Sequence, residues 1–429
     1  MRVALINPPQ SYLVEPSRNR PLGLMYVHSA ARKACPWAWV EIVETAALHP
    51  ENIVPHLAAG QYDVCAWTAT TLDYFTVRKL AQEVLGRTGA IQVIGGPHAT
   101  VAEYIDPCFR VVFKGEGEQT FPKFLADYQR GEALSVYDAP RIERLDGLHF
   151  PYRGGATQGR IMRGGEEKSA TIMGSRGCAH DCAFCASKCL WPGPVRFRSA
   201  ESIAREVEVV RDRGGITDFA FYDENLTLST SHLKTVCAAV KRLRIHWRAQ
   251  ARTDCVDRQK LEIMRDAGCR EIDFGIESFD DRVLRFLVKG TTAKQNERAV
   301  ELAKAAGIPA RLFLMISTPG ETFETTVERN KAALLHLQGA FDTVNLYTFM
   351  PLPGTPISRE PEKYGVRIVS RDWDRYNRHQ YRREDGEVTD AAWSPIEIGA
   401  MSREQQTENI VAMHEFVNGL SEVNTGVLA

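Results

Sequence analysis

The chain has 429 residues, of which 44% are hydrophobic and 25% are charged. These proportions are typical of a soluble globular protein, and the length suffices for two or three domains with hydrophobic cores. A formal net charge of −1 and the lack of a long apolar run predict neither a nucleic-acid partner nor a membrane span. The first ten residues lack the order of a signal peptide, so we expect a cytoplasmic protein whose ten cysteines stay reduced.

The first 130 residues alternate β-rich runs with helical patterns. Buried strands are predicted at 3–9, 40–45, 63–70, 91–97 and 110–118. Helices are predicted between them, at 22–34, 50–59, 73–87 and 119–130. This alternation indicates the α/β class, with a doubly wound, Rossmann-like sheet as the N-terminal domain. Glycine, proline and threonine gather at the strand ends, which favours a shared ligand crevice there.

A second β/α series follows a stretch at 131–169 that is interpreted as a linker, because it is rich in Gly, Pro and Arg. Its strands are predicted at 170–174, 218–223, 246–252, 271–277, 310–316 and 342–349. Six such units predict a partial (β/α)6 barrel of the TIM type over 170–350, with chemistry at the carboxyl ends of the strands. Ser199 is expected to cap the helix predicted at 199–213. The remaining residues, 351–429, are interpreted as a small C-terminal segment.

Four of the ten cysteines fall in one short stretch, GSRGCAHDCAFCASKC. A structural zinc site usually combines two close cysteine pairs, and the cysteines after Cys182 and Cys185 supply no second pair at that spacing. Zinc bound by the four cysteines of this stretch alone would be unusually compressed. The alternative is a [4Fe–4S] cluster with three irons bound by Cys178, Cys182 and Cys185, which leaves one iron open for chemistry.

The cysteine spacing, with Phe184 just before the last cysteine and a barrel strand just before the first, resembles the signature of the radical S-adenosylmethionine (SAM) superfamily. The resemblance implies that SAM chelates the open iron and that the reduced cluster splits SAM to give a 5′-deoxyadenosyl radical. Cys189 is interpreted as a spare thiol, because a fourth thiolate on the open iron would exclude SAM.

Later motifs resemble the same superfamily in the same order. DENLT corresponds to the loop that receives the SAM amino group, ARTD to a partner for the SAM carboxylate, and FGIES to the residues beside the ribose. MISTPGE corresponds to the glycine motif beside the adenine, and the sixth strand to the backbone that reads the adenine edge. The expected SAM-binding residues are Phe184, Asp223, Glu224, Asn225, Arg252, Glu277, Ser278, Pro319 and Tyr347.

The N-terminal domain resembles that of the cobalamin-binding group of the superfamily. The matching motifs are LINPP, RPLGLMYV, TATTL, VIGGPHAT and KGEGEQTF. Glycine-rich strand ends suit a large flat corrin, because they let the backbone approach it closely. The expected cobalamin-binding residues are Pro8, Pro9, Leu22, Gly23, Thr68, Thr70, Thr71, Leu72, Tyr74, Gly95, Gly96, Pro97, His98, Gly115, Glu116, Gly117 and Glu118.

One departure from the usual cobalamin motif concerns the lower face of cobalt. The loop after the first strand, NPPQSYLVEPSRNRPLG, contains no histidine, and His28 lies beyond it in a predicted helix as a surface or packing residue. We therefore expect cobalamin to bind base-off without a histidine on cobalt, with His98 lining the pocket of the nucleotide tail. Leu72 or Tyr74 is expected to cover the lower face.

Two alternative functions are disfavoured by particular residues of the sequence. Radical SAM methylthiotransferases carry three N-terminal cysteines, and Cys35, Cys65 and Cys108 match that count but not the placement at strand ends. A non-catalytic cluster or corrinoid carrier is disfavoured by Arg252 and Glu277, because a carrier needs no SAM pocket.

The resemblance implies a cobalamin-dependent radical SAM enzyme that methylates an unactivated carbon of a small metabolite, using methylcobalamin and the 5′-deoxyadenosyl radical. The alternative is a non-methylating radical reaction, such as ring contraction, dehydrogenation, cyclisation or carbon-chain transfer. An external low-potential electron donor of the flavodoxin or ferredoxin type is expected. The C-terminal segment could form a lid over an anionic or planar substrate, or a solvated helix with two aromatics packed inward. Its candidate substrate-binding residues are Arg371, Trp373, Arg375 and Tyr376.

Overall fold

The computed structural model of the chain describes residues 1–10, 20–138, 140–153, 169–373 and 394–420. The chain divides into two compact units, one formed by Met1–Lys168 with Cys189–Pro192 and the other by Ser169–Lys188 with Gly193–Ala429. In the described ranges, no helix is both long enough and apolar enough to cross a bilayer.

The first unit contains a parallel sheet with helices between its strands. Within the described residues its strands are β1 Arg2–Asn7, β2 Trp39–Glu44, β3 Val64–Thr68, β4 Ile91–Gly95, β5 Val111–Lys114 and β6 Val136–Asp138. Its α-helices are α1 Leu22–Ala34, α2 Pro50–Ala59, α3 Tyr74–Thr88, α4 Gly96–Val101 and α5 Gly117–Arg130. The strand order β2-β1-β3-β4-β5-β6 confirms the doubly wound prediction and places the switch point between β1 and β3.

Strand β6 lies in the stretch that the sequence predicts to be a linker. It pairs in parallel with β5, and its Tyr137 is 3% exposed and stacks on Phe113 of β5. Three residues are too short to show a period of two, so the strand is recognised only by its partner. The sheet therefore has six strands where the sequence predicts five.

The second unit is built around a longer β/α series. Its strands, among the residues described, are β7 Ser169–Ile172, β8 Ser175–Arg176, β9 Arg196–Phe197, β10 Asp218–Phe221, β11 His246–Ala251, β12 Cys269–Glu277, β13 Ala310–Ile316, β14 Thr343–Thr348, β15 Val366–Ile368 and β16 Ile396–Ile398. The α-helices that follow α5 are α6 Ser187–Leu190, α7 Ala200–Gly214, α8 Thr230–Lys241, α9 Arg258–Asp266, α10 Asp281–Phe286, α11 Ala293–Ala306, α12 Thr325–His336, α13 Pro356–Arg359 and α14 Arg403–Gly419.

Six of these strands form one parallel sheet in the order β14-β13-β12-β11-β10-β7. Because neighbours in space are also consecutive β/α units, this is the order of a partial TIM-type barrel, as predicted. Helix α7 shows how the sequence builds the outer layer. Ser199 accepts a hydrogen bond from the Ser202 amide as its N-cap, and Ile203 and Val207 are fully buried. The carboxyl ends of all six strands meet at one edge of the sheet.

Candidate cluster and cofactor sites

The cysteine loop leaves the carboxyl end of β7. Gly177 has φ of 100°, a conformation that favours glycine, and turns the chain into Cys178. The loop is held at its centre, where the amide of Ala183 donates to the carbonyl oxygen of Leu287 at 2.8 Å. Cys178, Cys182 and Cys185 are all partly exposed. Their side chains are therefore accessible at the edge of the barrel where chemistry is expected.

The spacing of the three sulfurs tests which metal group they fit. Of the residues that the structure describes, only His180, Asp254 and Cys255 offer three ligand atoms that all lie within 4.8 Å of one another. Sulfurs around a single zinc ion, with bonds of about 2.3 Å, lie roughly 3.8 Å apart. A [4Fe–4S] cluster binds each thiolate at a separate corner and needs a wider spacing. Among the described residues, Cys178, Cys182 and Cys185 do not form a group within that 4.8 Å limit.

Burial favours the protonated form of two of the loop's thiols. It raises the pKa of Cys182 and Cys185, and that of Cys185 reaches about 12. The positive charges of Lys289 and Arg252 oppose this effect at Cys182. A thiol with so high a pKa keeps its proton at neutral pH, so a metal cation must replace that proton to hold the thiolate.

Asp223, expected near the SAM amino group, makes two hydrogen bonds within the protein. One carboxylate oxygen accepts from the Gly174 amide at 2.9 Å, and the other accepts from the Ser175 hydroxyl. The approach is close, since a Cβ at position 174 would lie 3.1 Å from that carboxylate. Burial raises the pKa of Asp223 to about 6. Asp223 thus ties the end of β10 to the chain that leads into the cysteine loop.

Arg252, expected to pair with the SAM carboxylate, has a different carboxylate partner in the structure. Its Nε and Nη2 donate to the two oxygens of Asp254, both at 2.9 Å. The guanidinium therefore already makes the bidentate pairing that was expected with SAM. Asp254, one of the three possible metal ligands His180, Asp254 and Cys255, therefore accepts from Arg252 with both of its carboxylate oxygens.

The two ribose candidates differ in their surroundings. Glu277 ends β12 with φ of 63°, and its carboxylate accepts from Nζ of the buried Lys289 at 2.7 Å. Ser278 is fully buried, and its hydroxyl donates to Asn330 at 3.2 Å. A non-glycine residue in the left-handed region costs of order 1–2 kcal/mol, so the position of Glu277 is imposed by its surroundings.

The other SAM candidates fall into a buried and an accessible group. Asn225 and Pro319 are buried, and the side-chain amide oxygen (Oδ1) of Asn225 accepts from the Thr227 hydroxyl at 2.8 Å. Glu224 is exposed, whereas Phe184 and Tyr347 are partly exposed. The structure thus leaves accessible surface on Glu224, Phe184 and Tyr347.

Several residues near this edge could not be found from spacing. Lys289 is 5% exposed, and its Nζ lies 5.8 Å from the ring centroid of Phe184. Ser317 follows β13 with φ of 60°, donates to the Ser394 hydroxyl at 2.8 Å and accepts from Gln406. A lone lysine or glutamine far along the chain carries no motif, so only the fold identifies these contacts.

In the first unit, the candidate crevice lies at the switch point. Pro8 and Pro9 follow β1, where Pro8 is buried and Pro9 is partly exposed, and Thr68 ends β3 with Thr70 and Thr71 in the loop after it. Asp73 shapes this second loop by accepting from the Thr70 amide at 2.7 Å and from the Thr70 hydroxyl at 3.0 Å. The loops expected to contact cobalamin therefore sit where ligands bind in doubly wound sheets.

His98, on α4, is fully buried. Its ring stacks on Tyr74 at 4.1 Å between centroids, and its Nδ1 lies 3.2 Å from the Thr71 hydroxyl. Burial lowers the pKa of His98 to about 4, so the ring is neutral at physiological pH. Tyr74 is 2% exposed, whereas Leu72 is partly exposed. Of the two residues expected to cover cobalt, only Leu72 presents accessible surface.

The remaining cobalamin candidates lie at the ends of β4 and β5 and on α1. Gly96 has φ of 90°, and a Cβ there would lie 2.4 Å from the Thr68 hydroxyl, so packing alone requires glycine. These positions differ in their exposure to solvent. Three of them are buried, namely Leu22, Glu116 and Glu118. The others have accessible surface, namely Gly23, Gly95, Gly96, Pro97, Gly115 and Gly117.

Two further expectations concern His28 and the C-terminal segment. His28 is a packing residue, because its Nε2 lies 3.1 Å from the Val40 carbonyl oxygen and its ring stacks on Tyr152. Arg371 is exposed and donates to the Ser358 carbonyl oxygen at 3.3 Å, and Trp373 is partly exposed. Positions 375 and 376, Arg375 and Tyr376, lie outside the described residues.

Comparison with known proteins identifies relatives that match about three quarters of this chain. An uncharacterized methyltransferase of Pyrococcus horikoshii is 28% identical over 353 residues, which cover 76% of each chain. The bacteriochlorophyllide d C-12(1)-methyltransferase of Chlorobaculum tepidum is 24% identical over 339 residues, covering 77% of this chain and 72% of that protein. This chain is similar to both over most of its length.

A solved structure shares the fold. The radical S-adenosylmethionine methyltransferase TsrM from Kitasatospora setae, with cobalamin and a [4Fe–4S] cluster bound, superposes with a TM-score of 0.74. The likeness covers 98% of this chain and 90% of that chain at 17% sequence identity. Residues 172–331 match the radical SAM superfamily. Because this match begins on β7, just before the cysteine loop, and runs past β13, it covers most of the barrel strands, and the barrel region of this chain is similar to the radical SAM superfamily.

Proposed function

We propose that this protein is a cobalamin-dependent radical SAM enzyme that methylates an unactivated carbon of a small metabolite. The observation that carries the proposal is the chain order of a doubly wound unit followed by a barrel with a three-cysteine loop. TsrM has the same fold and was solved with cobalamin and a cluster. Both sequence relatives described above are named methyltransferases.

We propose that Cys178, Cys182 and Cys185 hold the cluster. The three cysteines lie in one loop after β7, and burial raises the pKa of Cys182 and Cys185, so a cation must replace the protons of those two thiols. When bound, the cluster and SAM together supply a 5′-deoxyadenosyl radical, and cobalamin supplies the methyl group. The protein's own task is to orient these groups and to exclude water, so no proton-transfer triad is required.

The SAM site is proposed at the carboxyl ends of β10 to β14. Glu224 and Tyr347 have accessible surface there and are the proposed contacts for the amino group and the adenine. Glu277 can accept from the ribose hydroxyls while it remains paired with Lys289, because a carboxylate has two acceptor oxygens. The proposed contacts are supported by four buried residues, Asp223, Asn225, Ser278 and Pro319.

Cobalamin is proposed to bind base-off at the switch point of the first unit, with no histidine on cobalt and Leu72 toward its lower face. His98 supports this proposal, because it is fully buried and stacked on Tyr74. Electron paramagnetic resonance of the cobalt(II) form is expected to show no nitrogen superhyperfine splitting from an axial ligand. Such splitting in the wild type that disappears in His98→Phe would refute the proposal.

The proposed partners are a small-molecule substrate and an external low-potential electron donor of the flavodoxin or ferredoxin type. Arg371 and Trp373 are the described members of the proposed substrate set, and the exposed guanidinium of Arg371 suits an anionic group.

The decisive experiment is an anaerobic turnover with methyl-deuterated SAM. The reconstituted protein is supplied with cobalamin, a low-potential reductant and candidate metabolites. We expect 5′-deoxyadenosine, S-adenosylhomocysteine and a product that carries the deuterated methyl group. Substrate-dependent 5′-deoxyadenosine without S-adenosylhomocysteine or label would instead establish the non-methylating radical reaction.

A further inference from the structure

Arg252 directs one of its N–H donors at a cysteine of the loop. Its Nη1 lies 3.2 Å from Sγ of Cys182, while Nη2 also donates to the Lys289 carbonyl oxygen at 2.6 Å. The residue is 5% exposed. Nε and Nη2 also donate to the two oxygens of Asp254, so three hydrogen bonds hold the guanidinium in place. Nη1 is the nitrogen that is left to point at the sulfur.

The same short segment supports both partners of this contact. The carbonyl oxygen of Leu287 accepts from the Ala183 amide, next to Cys182, and the carbonyl oxygen of Lys289 accepts from Arg252. Val288 between them has φ of 52°, a strained conformation for a β-branched residue. The distance from Arg252 to Cys182 is therefore set by the protein itself.

We infer that Arg252 is a positioning residue that donates a hydrogen bond to the Cys182 thiolate and raises the reduction potential of the cluster. This inference rests on the proposed function, because it requires that a cluster is bound. Hydrogen bonds to cluster sulfurs and nearby charge are general determinants of cluster potential. A buried guanidinium interacts more strongly than an exposed one, because solvent screens it less.

The redox step is a simple electron addition. One electron passes from an external donor to the cluster, and no protein bond forms or breaks. The reduced cluster is more negative by one charge, so the N–H···S bond from Arg252 strengthens on reduction. Loss of that bond should disfavour the reduced state.

The test is a potentiometric titration of the anaerobically reconstituted full-length protein without SAM, followed by electron paramagnetic resonance. In Arg252→Met we expect the ratio of reduced to oxidised cluster at a fixed potential to fall at least tenfold, which is about 59 mV for a one-electron couple. Omitting SAM matters, because a residue that acts only on the SAM carboxylate would leave this ratio unchanged.

A second variant should shift the potential in the opposite direction. Asp254→Asn removes a negative charge but keeps an oxygen that accepts from Arg252, so the reduced cluster should become easier to form. Opposite shifts in the two variants distinguish an electrostatic effect from general damage to the loop. If Arg252→Met does not retain a cluster, the sign of the shift in Asp254→Asn decides the question.

Arg311→Met is the matched control. Arg311 makes the same bidentate contact, with Asp273 at 2.7 and 2.8 Å, but lies near the amino end of β13, away from the cysteine edge. Its cluster potential should equal that of the wild type. Unchanged potentials in Arg252→Met and Asp254→Asn with intact clusters, or shifts of the same sign, would overturn the inference. Failure of the wild type to assemble any [4Fe–4S] cluster would instead refute the proposed function.

Discussion

Alanine in place of Cys178, Cys182 or Cys185 is expected to abolish both cluster assembly and SAM cleavage. Each thiolate is proposed to hold one iron, so each loss leaves an iron without a protein ligand. The loss should exceed the roughly 10- to 100-fold effect of changing a residue that only supports a ligand. Iron and sulfide content, visible absorbance and 5′-deoxyadenosine formation after anaerobic reconstitution measure it.

The matched control is Cys189→Ala, which removes the fourth cysteine of the same stretch. We expect this variant to retain wild-type iron content and SAM cleavage, because a fourth thiolate is not part of the proposed site. The proposal fails if Cys189→Ala loses the cluster or if one of the other three variants keeps a full complement of iron.

Replacing Asp223 with alanine is expected to lower both stability and cluster content. The buried amide of Gly174 and hydroxyl of Ser175 would lose their acceptor, and each unsatisfied donor costs about 1–3 kcal/mol. The chain between β7 and Cys178 would also lose its tie to β10. Urea unfolding and iron content of the reconstituted protein measure the two effects.

Asp223→Asn is the matched control. Its amide oxygen can accept from the Gly174 amide, and its amide nitrogen can donate to the Ser175 hydroxyl, so we expect near wild-type cluster content. Equal cluster loss in the alanine and asparagine variants would show that the charge of Asp223, and not its hydrogen bonds, matters.

The pH dependence of the asparagine variant follows from the raised pKa. Burial raises the pKa of Asp223 from 3.8 to about 6, so the folded state binds more protons than the unfolded state between these values. Stability from this group is therefore greatest below the lower value and falls as pH rises through about 6. The wild type loses this stabilisation at high pH and the asparagine variant does not. The free energy of unfolding of Asp223→Asn minus that of the wild type should therefore be larger at pH 8 than at pH 5.

Much of the fold could be predicted from the sequence, because its signals are local. The helices at 22–34 and 50–59 agree residue for residue with α1 and α2, and the strand at 310–316 agrees with β13. Each has a clear apolar period or a proline or glycine at its boundary. Strand β6 could not be predicted, because its three residues become a strand only by pairing with β5.

The sequence by itself determined the α/β class, the order of the β/α units and the three cysteines of the loop, since each depends on spacing along the chain. Only the tertiary structure decided the partners of the polar side chains. Arg252 bonds with Asp254, two residues away, and with Cys182, 70 residues away. Glu277 pairs with Lys289, 12 residues away. Buried polar groups bond with the nearest complementary group in space, and which group is nearest is set when the strands pack together.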